Sequence, residues 1–234
     1  MGAGGIPAAD AAKPAAARDC GRRVMELLAA GIRPRDLLSR AALENAVAAV
    51  AASGGSTNAV LHLLAIAREA AVPLTLEDFH ALSLRTPLLC DLKPAGRYTA
   101  VDFTAAGGSR LLARHLLAAG CLHPDAPTVS GRTLGEEAAA ATATAGQTVI
   151  RPPRQPLRPR GGLEVLRGNL APLGCVIKTH GHEPRRHRGP ARVFDGEEAA
   201  MAAATGGRLR PGDVVVIRHE GPRGGPGMRE MLST

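Results

Sequence analysis

Apolar residues recur every three or four positions through the first part of the chain, which is the spacing of helices that bury one face. Val60, Leu63, Leu64 and Ala67 show this spacing clearly. Capping residues, glycines and prolines mark where these helices begin and end. The pattern predicts helices at residues 18–31, 35–53, 56–70, 75–83, 109–120 and 133–146, and a short buried strand at residues 85–92.

The pattern changes in the last third of the chain. Short runs rich in β-branched residues alternate there with glycine and proline, as in the strands of a barrel or sandwich. One helix interrupts them, with Asp195 expected as its cap and Glu198 at the third position. The strands are predicted within residues 163–172, 175–181, 191–194 and 213–220, and the helix at residues 195–205.

Residues 149–162, which are rich in proline and arginine, separate these two parts. Such a segment forms neither a helix nor a central strand, which makes it the best candidate for a boundary. We therefore predict a helix-rich α/β portion at residues 1–148, a linker at residues 149–162 and a mostly-β portion at residues 163–234. The predicted fold class is α/β.

The chain is strongly basic, with 29 lysines and arginines against 21 acidic residues and a formal net charge of +8. This balance suits nucleic-acid binding, but the arginines are scattered and aromatic residues make up only 2% of the chain. Bases would have almost no side chains to stack on, so the composition argues against a nucleic-acid partner. A core with so few aromatic residues must be filled by alanine, leucine and valine.

The four cysteines, Cys20, Cys90, Cys121 and Cys175, lie far apart and form no Cys-x-x-Cys pair. They indicate neither a zinc ribbon nor a disulfide framework, and a reducing compartment is the simplest interpretation. The sequence shows no signal-peptide pattern and no apolar run of membrane-spanning length. We therefore expect a cytoplasmic protein without a membrane partner.

The segment Gly54–Asn58, which reads GGSTN, stands at the start of a predicted helix. Its glycines let a ligand approach the backbone, and free amides together with the Ser56 and Thr57 hydroxyls suit an anion. The other interpretation is a simple loop in which Ser56 or Thr57 caps the helix. The segment alone does not decide between the two.

A glycine-rich loop near residue 225 leads to Arg229 and Glu230. A carboxylate beside such backbone suits Mg²⁺, and an arginine suits a substrate carboxylate, while a surface salt bridge is the alternative. The histidine-rich segment at residues 180–187 is better interpreted as a solvated loop than as a metal site, because it lacks helical placement and an apolar frame.

Five stretches of the chain, taken together, resemble the family of dihydroxy-acid and 6-phosphogluconate dehydratases in their order and approximate spacing. They are GGSTNAVLHLLAIAREA, DLKPAGRY, GGLEVLRGNLAP, HRGPARVFDGEEAAMAA and PGDVVVIRHEGPRGGPGMREML. The resemblance extends from about Ile6 to Thr234, and the first stretch is more similar to the branched-chain dihydroxy-acid dehydratases than to the sugar-acid branch. It implies the end of an N-terminal α/β domain followed by part of a C-terminal mostly-β barrel domain.

The resemblance also implies a reaction and its cofactors. The family removes water from a 2,3-dihydroxy acid, such as 2,3-dihydroxyisovalerate, to give a 2-oxo acid for branched-chain amino-acid synthesis. Mg²⁺ and an iron–sulfur cluster, [2Fe-2S] or [4Fe-4S], assist the elimination in a protein that forms a homodimer. Glu230 matches the family's Mg²⁺-binding glutamate, and Ser56, Thr57, Asn58 and Arg229 are expected to line the substrate site.

Departures from the family pattern narrow this expectation. None of the four cysteines matches a cluster position, and the family's serine base belongs to a segment that would follow Thr234. The chain therefore resembles an internal fragment that lacks both ends, holds no catalytic residue of its own and is inactive alone. A sugar-acid (aldonate or 6-phosphogluconate) dehydratase and a non-catalytic remnant acting as a basic binding module are the alternatives.

Overall fold

The computed structural model describes residues 5–179 and 186–221. The chain divides into two compact units, Met1–Glu183 and Pro184–Thr234. The described residues of the first unit form α1 (Lys13–Ala29), α2 (Pro34–Leu37), α3 (Arg40–Ser53), α4 (Asn58–Glu69), α5 (Leu76–Arg85), α6 (Ala100–Ala106), α7 (Gly108–Ala118), α8 (Leu134–Ala139), β1 (Leu163–Leu166) and β2 (Cys175–Lys178). Those of the second unit form β3 (Ala191–Asp195), α9 (Glu197–Thr205) and β4 (Val214–Arg218). None of the helices in these ranges has the length and apolar character that crossing a bilayer requires.

Most of the predicted helices are confirmed, but the one predicted at residues 35–53 is two helices. α2 ends at Leu37, and α3 begins at Arg40. Ser39 between them has extended backbone, and its Oγ accepts a hydrogen bond from the Ala42 N–H at 3.2 Å. A serine in this conformation caps a new helix instead of continuing the old one.

In the described part of the first unit, α5, α6 and α8 begin with a capping box in which a threonine and an acidic residue accept hydrogen bonds from each other's backbone N–H groups. The pairs are Thr75 with Asp78, Thr99 with Asp102, and Thr133 with Glu136. The second pair starts α6, a short helix that the apolar pattern does not predict. The third starts α8, which is shorter than predicted because threonines and a glycine follow its alanine run.

Replacing Thr133 with alanine is expected to lower the free energy of unfolding by about 1 kcal/mol. Thr133 Oγ1 accepts a hydrogen bond from the Glu136 N–H at 3.2 Å, and the Glu136 carboxylate accepts one from the Thr133 N–H at 2.7 Å. Alanine removes the first of these bonds and leaves the second. Chemical denaturation measures the loss, and serine at the same position is the control that keeps the cap. Equal stability of the alanine and serine variants would contradict the assignment.

Two buried apolar clusters form the core of the first unit. In one, α7 packs on the extended segments around Cys90 and Ile150. In the other, α3, α4 and α5 pack on β1. Leucine, valine and alanine supply most of both clusters, as the composition predicts. The second cluster consists of Val47, Val60, Phe79, Leu82 and Leu163.

The segment predicted as a strand at residues 85–92 is buried and forms two isolated antiparallel bridges. Leu88 pairs with Arg158, and Cys90 pairs with Ile150. The apolar run thus marks an extended, buried segment, although it is too irregular to belong to one of the named sheets.

The proline- and arginine-rich segment at residues 149–162 packs against this extended segment. Ile150 is completely buried, and the N–H groups of Arg151 and Leu157 donate hydrogen bonds to carbonyls of the extended segment at 2.9 Å each. The compact units divide after Glu183. The boundaries expected at residues 148 and 162 remain a prediction.

Each unit contains one two-stranded sheet within the described residues. β1 and β2 form an antiparallel hairpin in which Leu163 pairs with Lys178. β3 and β4 are parallel, and α9 supplies the crossover that parallel strands require. Neither sheet closes into a barrel in the described part of the chain. The mixture of helices and open sheets agrees with the α/β class.

Asp195 does not cap α9, contrary to the prediction. It ends β3, and its carboxylate accepts a hydrogen bond from the Arg218 guanidinium at 2.7 Å. Gly196 takes the cap position with a φ of 102°, and the Glu220 carboxylate accepts the hydrogen bond of the Glu197 N–H at 2.7 Å. Glu220, which lies just after β4, therefore caps α9 in place of Asp195.

Candidate functional site

The GGSTN turn joins α3 to α4 and is built on the last turn of α3. Gly54 has a φ of 63°, the left-handed conformation that ends helices and favours glycine. The Gly55 N–H donates a hydrogen bond to the Val50 carbonyl at 3.0 Å, and a Cβ on Gly55 would lie 3.1 Å from the Val50 side chain. The tightness of the turn accounts for both glycines.

The three polar residues of the turn follow at the start of α4. Ser56 Oγ accepts a hydrogen bond from the Asn58 N–H at 3.2 Å. Thr57 occupies the cap position with helical backbone angles, and its side chain makes no capping hydrogen bond. Of the two capping candidates, Ser56 therefore takes the role. Ser56 is exposed, while Thr57 and Asn58 are half-buried.

The DLKPAGRY segment folds into a tight loop around the buried Asp91. Arg97 Nε donates a hydrogen bond to Asp91 Oδ2 at 2.6 Å, and two N–H groups at the end of the loop donate to the Asp91 carbonyl. The backbone at Gly96 lies so close to Asp91 that a side chain would clash. The loop therefore holds Lys93 and Arg97 as exposed cations on a well-fixed backbone.

The carboxyl end of α3 receives hydrogen bonds from two distant segments. The Ala52 carbonyl accepts hydrogen bonds from the Leu89 and Cys90 N–H groups at 2.8 and 3.1 Å. The Ala51 carbonyl accepts one from the Gly162 N–H at 3.0 Å. The segment directly before the DLKPAGRY loop and the beginning of GGLEVLRGNLAP therefore meet at the end of α3, just before the GGSTN turn.

Gly161 brings the β1–β2 hairpin into contact with α3 and α5. A Cβ at this position would lie 2.6 Å from Ser83 Oγ and 2.8 Å from the Ala51 Cβ. Ser83 Oγ donates a hydrogen bond to the Leu163 carbonyl at 2.6 Å. The hairpin is thus fixed where β1 begins, and only glycine fits beside it without displacing these groups.

The other strand of the hairpin is fixed at Thr179, directly after β2. The buried Thr179 donates its N–H to the Gly162 carbonyl at 2.9 Å, and its own carbonyl accepts a hydrogen bond from the Arg158 guanidinium at 2.8 Å. Gly162 also donates its N–H to the Ala51 carbonyl. The backbone of Gly162 therefore lies between the end of β2 and the end of α3 and is hydrogen-bonded to both.

Ligands for a metal ion or a cluster are not assembled by the described residues. Within them, no three histidine, cysteine or acidic side chains come together in a way that could hold a metal ion. All four cysteines are free, and burial raises the pKa of Cys90 to about 12, which keeps it a thiol and not the thiolate that iron requires. The described residues alone therefore fit neither an iron–sulfur cluster nor a Mg²⁺ site.

Two of the predicted site residues, Arg229 and Glu230, lie outside the described residues, as do residues 180–185 of the histidine-rich segment. His187 is described, and its Nε2 lies 3.1 Å from the Gly212 carbonyl oxygen. The described end of the histidine-rich segment is therefore engaged with backbone.

Comparison with known proteins decides the family. Residues 1–137 match the model of the dihydroxy-acid/6-phosphogluconate dehydratase N-terminal region, and residues 148–234 match that of the C-terminal region. The chain belongs to the dihydroxy-acid/6-phosphogluconate dehydratase family. The α3 end, with its GGSTN turn, lies in the part that matches the N-terminal model, and the β1–β2 hairpin lies in the part that matches the C-terminal model.

Members of this family with the name dihydroxy-acid dehydratase are similar to the chain along its whole length. The proteins of Roseiflexus sp. (strain RS-1) and Koribacter versatilis (strain Ellin345) are 62% and 56% identical over 232 residues, which is 99% of the chain. That of a Thermus thermophilus strain is 51% identical over 234 residues. The chain spans about two fifths of these relatives, with 42%, 40% and 42% of their lengths covered.

Proposed function

We propose that the protein acts as a dihydroxy-acid dehydratase, a hydro-lyase that converts 2,3-dihydroxy acids such as 2,3-dihydroxyisovalerate to 2-oxo acids in branched-chain amino-acid biosynthesis. The 62% identity over 99% of the chain to a relative of that name is the observation that supports this most strongly. A fold can host many reactions, so the proposal rests on this identity and not on the fold.

We further propose the finer features that family membership suggests. Ser56, Thr57, Asn58 and Arg229 line the substrate site, and Glu230 binds Mg²⁺. The whole protein is a homodimer that uses Mg²⁺ and an iron–sulfur cluster, which supply the Lewis acidity for loss of the hydroxyl group. Its mostly-β part contributes to a barrel. The described residues do not supply the ligands of these groups.

The described residues would bind and orient an anionic substrate. Ser56 offers an exposed hydroxyl at the start of α4, where the helix dipole favours negative charge. Lys93 adds an exposed cation on the loop that directly follows Leu89 and Cys90, whose N–H groups bond the Ala52 carbonyl at the α3 end. The Arg97 guanidinium on the same loop is paired with Asp91. Such an arrangement raises the local concentration of a small carboxylic acid.

A chimeric enzyme tests the proposed function. The 234-residue sequence replaces the matching segment of the Roseiflexus sp. (strain RS-1) relative, and the purified chimera is assayed with 2,3-dihydroxyisovalerate and with gluconate. We expect formation of 2-oxoisovalerate, with kcat/KM for the branched-chain acid at least roughly tenfold above that for gluconate. A preference for gluconate would favour a sugar-acid dehydratase, and a folded chimera inactive on both acids would refute the proposal.

A further inference from the structure

Lys178, the last residue of β2, points to the same side of the hairpin as the core residue Val176. Alternate residues of a strand share a face, and Val176 packs on the apolar cluster that contains Leu163. Leu163 is also the residue directly opposite Lys178 in the hairpin. The side chain of Lys178 is half-buried, so its aliphatic part lies against apolar surface.

The ammonium group of Lys178 has no partner among the described residues, although it is accessible. No hydrogen bond or ion pair within them involves it, whereas Arg40, Arg97 and Arg110 each bond a carboxylate. Among the described side-chain nitrogens and oxygens, only His80 Nδ1 is both fully buried and without a partner. The Lys178 ammonium, which also has no partner among them, is therefore not fully buried and is exposed to solvent. A half-buried cation without an anion is an arrangement that a bound anion would stabilise.

Lysine is rare in this chain, which makes its presence at this position informative. Only Lys13, Lys93 and Lys178 are lysines among the 29 cationic residues. A lysine ammonium is compact and makes point-like contacts, while an arginine guanidinium is broad and planar. A chain that otherwise uses arginine almost throughout thus has the smaller cation at the end of β2.

The position of Lys178 is next to the candidate site. Thr179 bonds Gly162, Gly162 bonds Ala51, and Ala51 lies in the last turn of α3 just before Gly54. Antiparallel strands lie roughly 5 Å apart, and a lysine side chain extends over about 6 Å, so the ammonium can reach the region around the end of α3.

We infer that Lys178 is a substrate-binding residue that pairs with the carboxylate of the dihydroxy acid. The inference deepens the proposed function and rests on it for the identity of the substrate. The ammonium donates hydrogen bonds to a carboxylate oxygen, and the hairpin contacts at Gly161 and Thr179 fix the strand that carries it. The residue holds one end of the substrate and takes no part in proton transfer.

Nuclear magnetic resonance of the full chain tests the binding directly. Reductive methylation with an isotope label keeps the charge of each lysine and gives three lysine signals, which Lys→Arg variants assign. Titration with 2,3-dihydroxyisovalerate is expected to shift the Lys178 signal saturably, with Lys13 as the internal control. Shifts no larger at Lys178 than at Lys13, or equal shifts with the uncharged amide of the acid, would overturn the inference.

Kinetics of the chimera test whether the contact serves the reaction. Lys178→Met is expected to raise KM roughly 10- to 100-fold, the loss of a charge-assisted hydrogen bond, with a smaller change in kcat. Lys178→Arg is expected to recover part of the loss. Arg154→Met, which removes the same charge from an exposed position, is expected to leave KM unchanged.

The outcomes separate this inference from the proposed function. An active chimera in which Lys178→Met leaves KM unchanged overturns the role of Lys178 and leaves the dehydratase function standing. A specific carboxylate-dependent shift of Lys178, with a chimera inactive on dihydroxy acids, supports an anion site at Lys178 and refutes the proposed reaction.

Discussion

Replacing Gly96 with alanine is expected to lower the free energy of unfolding by about 3 kcal/mol, because the new methyl group would overlap fixed backbone. A Cβ on Gly96 would lie 2.3 Å from the carbonyl carbon of Asp91 and 2.6 Å from its carbonyl oxygen. The Asp91 carbonyl oxygen accepts the hydrogen bonds that close the loop, so this carbonyl group cannot move without breaking them. Urea denaturation of the full chain measures the change.

Gly21→Ala is the matched control for this substitution. Gly21 lies within α1, and a Cβ there meets no atom within 4 Å. Alanine in a helix interior is favoured over glycine, so this variant should be more stable than the parent by about 0.5 to 1 kcal/mol. If Gly96→Ala is as stable as the parent while the control behaves as expected, the close packing of Gly96 against the Asp91 backbone would be contradicted.

The second large effect is expected from Arg110, which pairs with a buried carboxylate. The Glu137 side chain is 2% exposed, and its Oε2 accepts hydrogen bonds from Arg110 Nε at 3.0 Å and Nη2 at 2.8 Å. Ser130 Oγ donates to the other oxygen at 2.7 Å. Arg110→Met removes the cation and leaves a buried charge, which is expected to cost about 3 kcal/mol near neutral pH.

The pH dependence of stability gives an independent readout of the same pair. Donation from Ser130, with the Arg110 cation, lowers the pKa of Glu137 to about 2, below its value in the unfolded chain. A lowered folded pKa stabilises the fold above the unfolded pKa, and this stabilisation is lost as the pH falls toward about 2. Arg110→Met raises the pKa of Glu137 and should therefore make stability less dependent on pH in this window.

A double-mutant cycle isolates the pair from other effects of the substitution. Glu137→Gln removes the charge, so adding Arg110→Met to this variant should cost less than adding it to the parent. Unfolding free energies of the four proteins measure the coupling. Costs that simply add would show that the two groups do not interact.

The helices were predictable because their signals are local. Apolar spacing and a capping residue lie within one helix, and α4, α5 and α7 follow them closely. The break at Ser39 was missed because serine is compatible with either continuing or restarting a helix until its backbone conformation is known.

The arrangement of the candidate site could not be predicted in the same way. The hydrogen bonds to Ala51 and Ala52 come from residues far away in sequence, and no periodic pattern identifies such partners. The glycines at positions 96 and 161 indicate that another backbone segment approaches closely there. The sequence does not say which segment that is. The cap that Glu220 supplies to α9 was hidden for the same reason, because it depends on the pairing of β3 with β4.

The resemblance of five stretches to one family was the strongest functional signal in the sequence, and the family comparisons confirm it. The fold adds that the beginning of GGLEVLRGNLAP and the segment directly before DLKPAGRY meet at the end of α3, just before the GGSTN turn. The fold also shows that the Lys178 ammonium has no partner among the described residues. The sequence alone does not reveal this, because it does not say which residues are neighbours in space.

Formation of 2-oxoisovalerate by the chimera is the most direct measurement of whether these residues build a dehydratase. Turnover of 2,3-dihydroxyisovalerate is compared with that of the parent Roseiflexus enzyme, after circular dichroism and gel filtration show that both are folded. We predict a kcat/KM within roughly tenfold of the parent value, since the chain is 62% identical to the segment it replaces. A folded chimera without detectable 2-oxoisovalerate formation would contradict the proposed function.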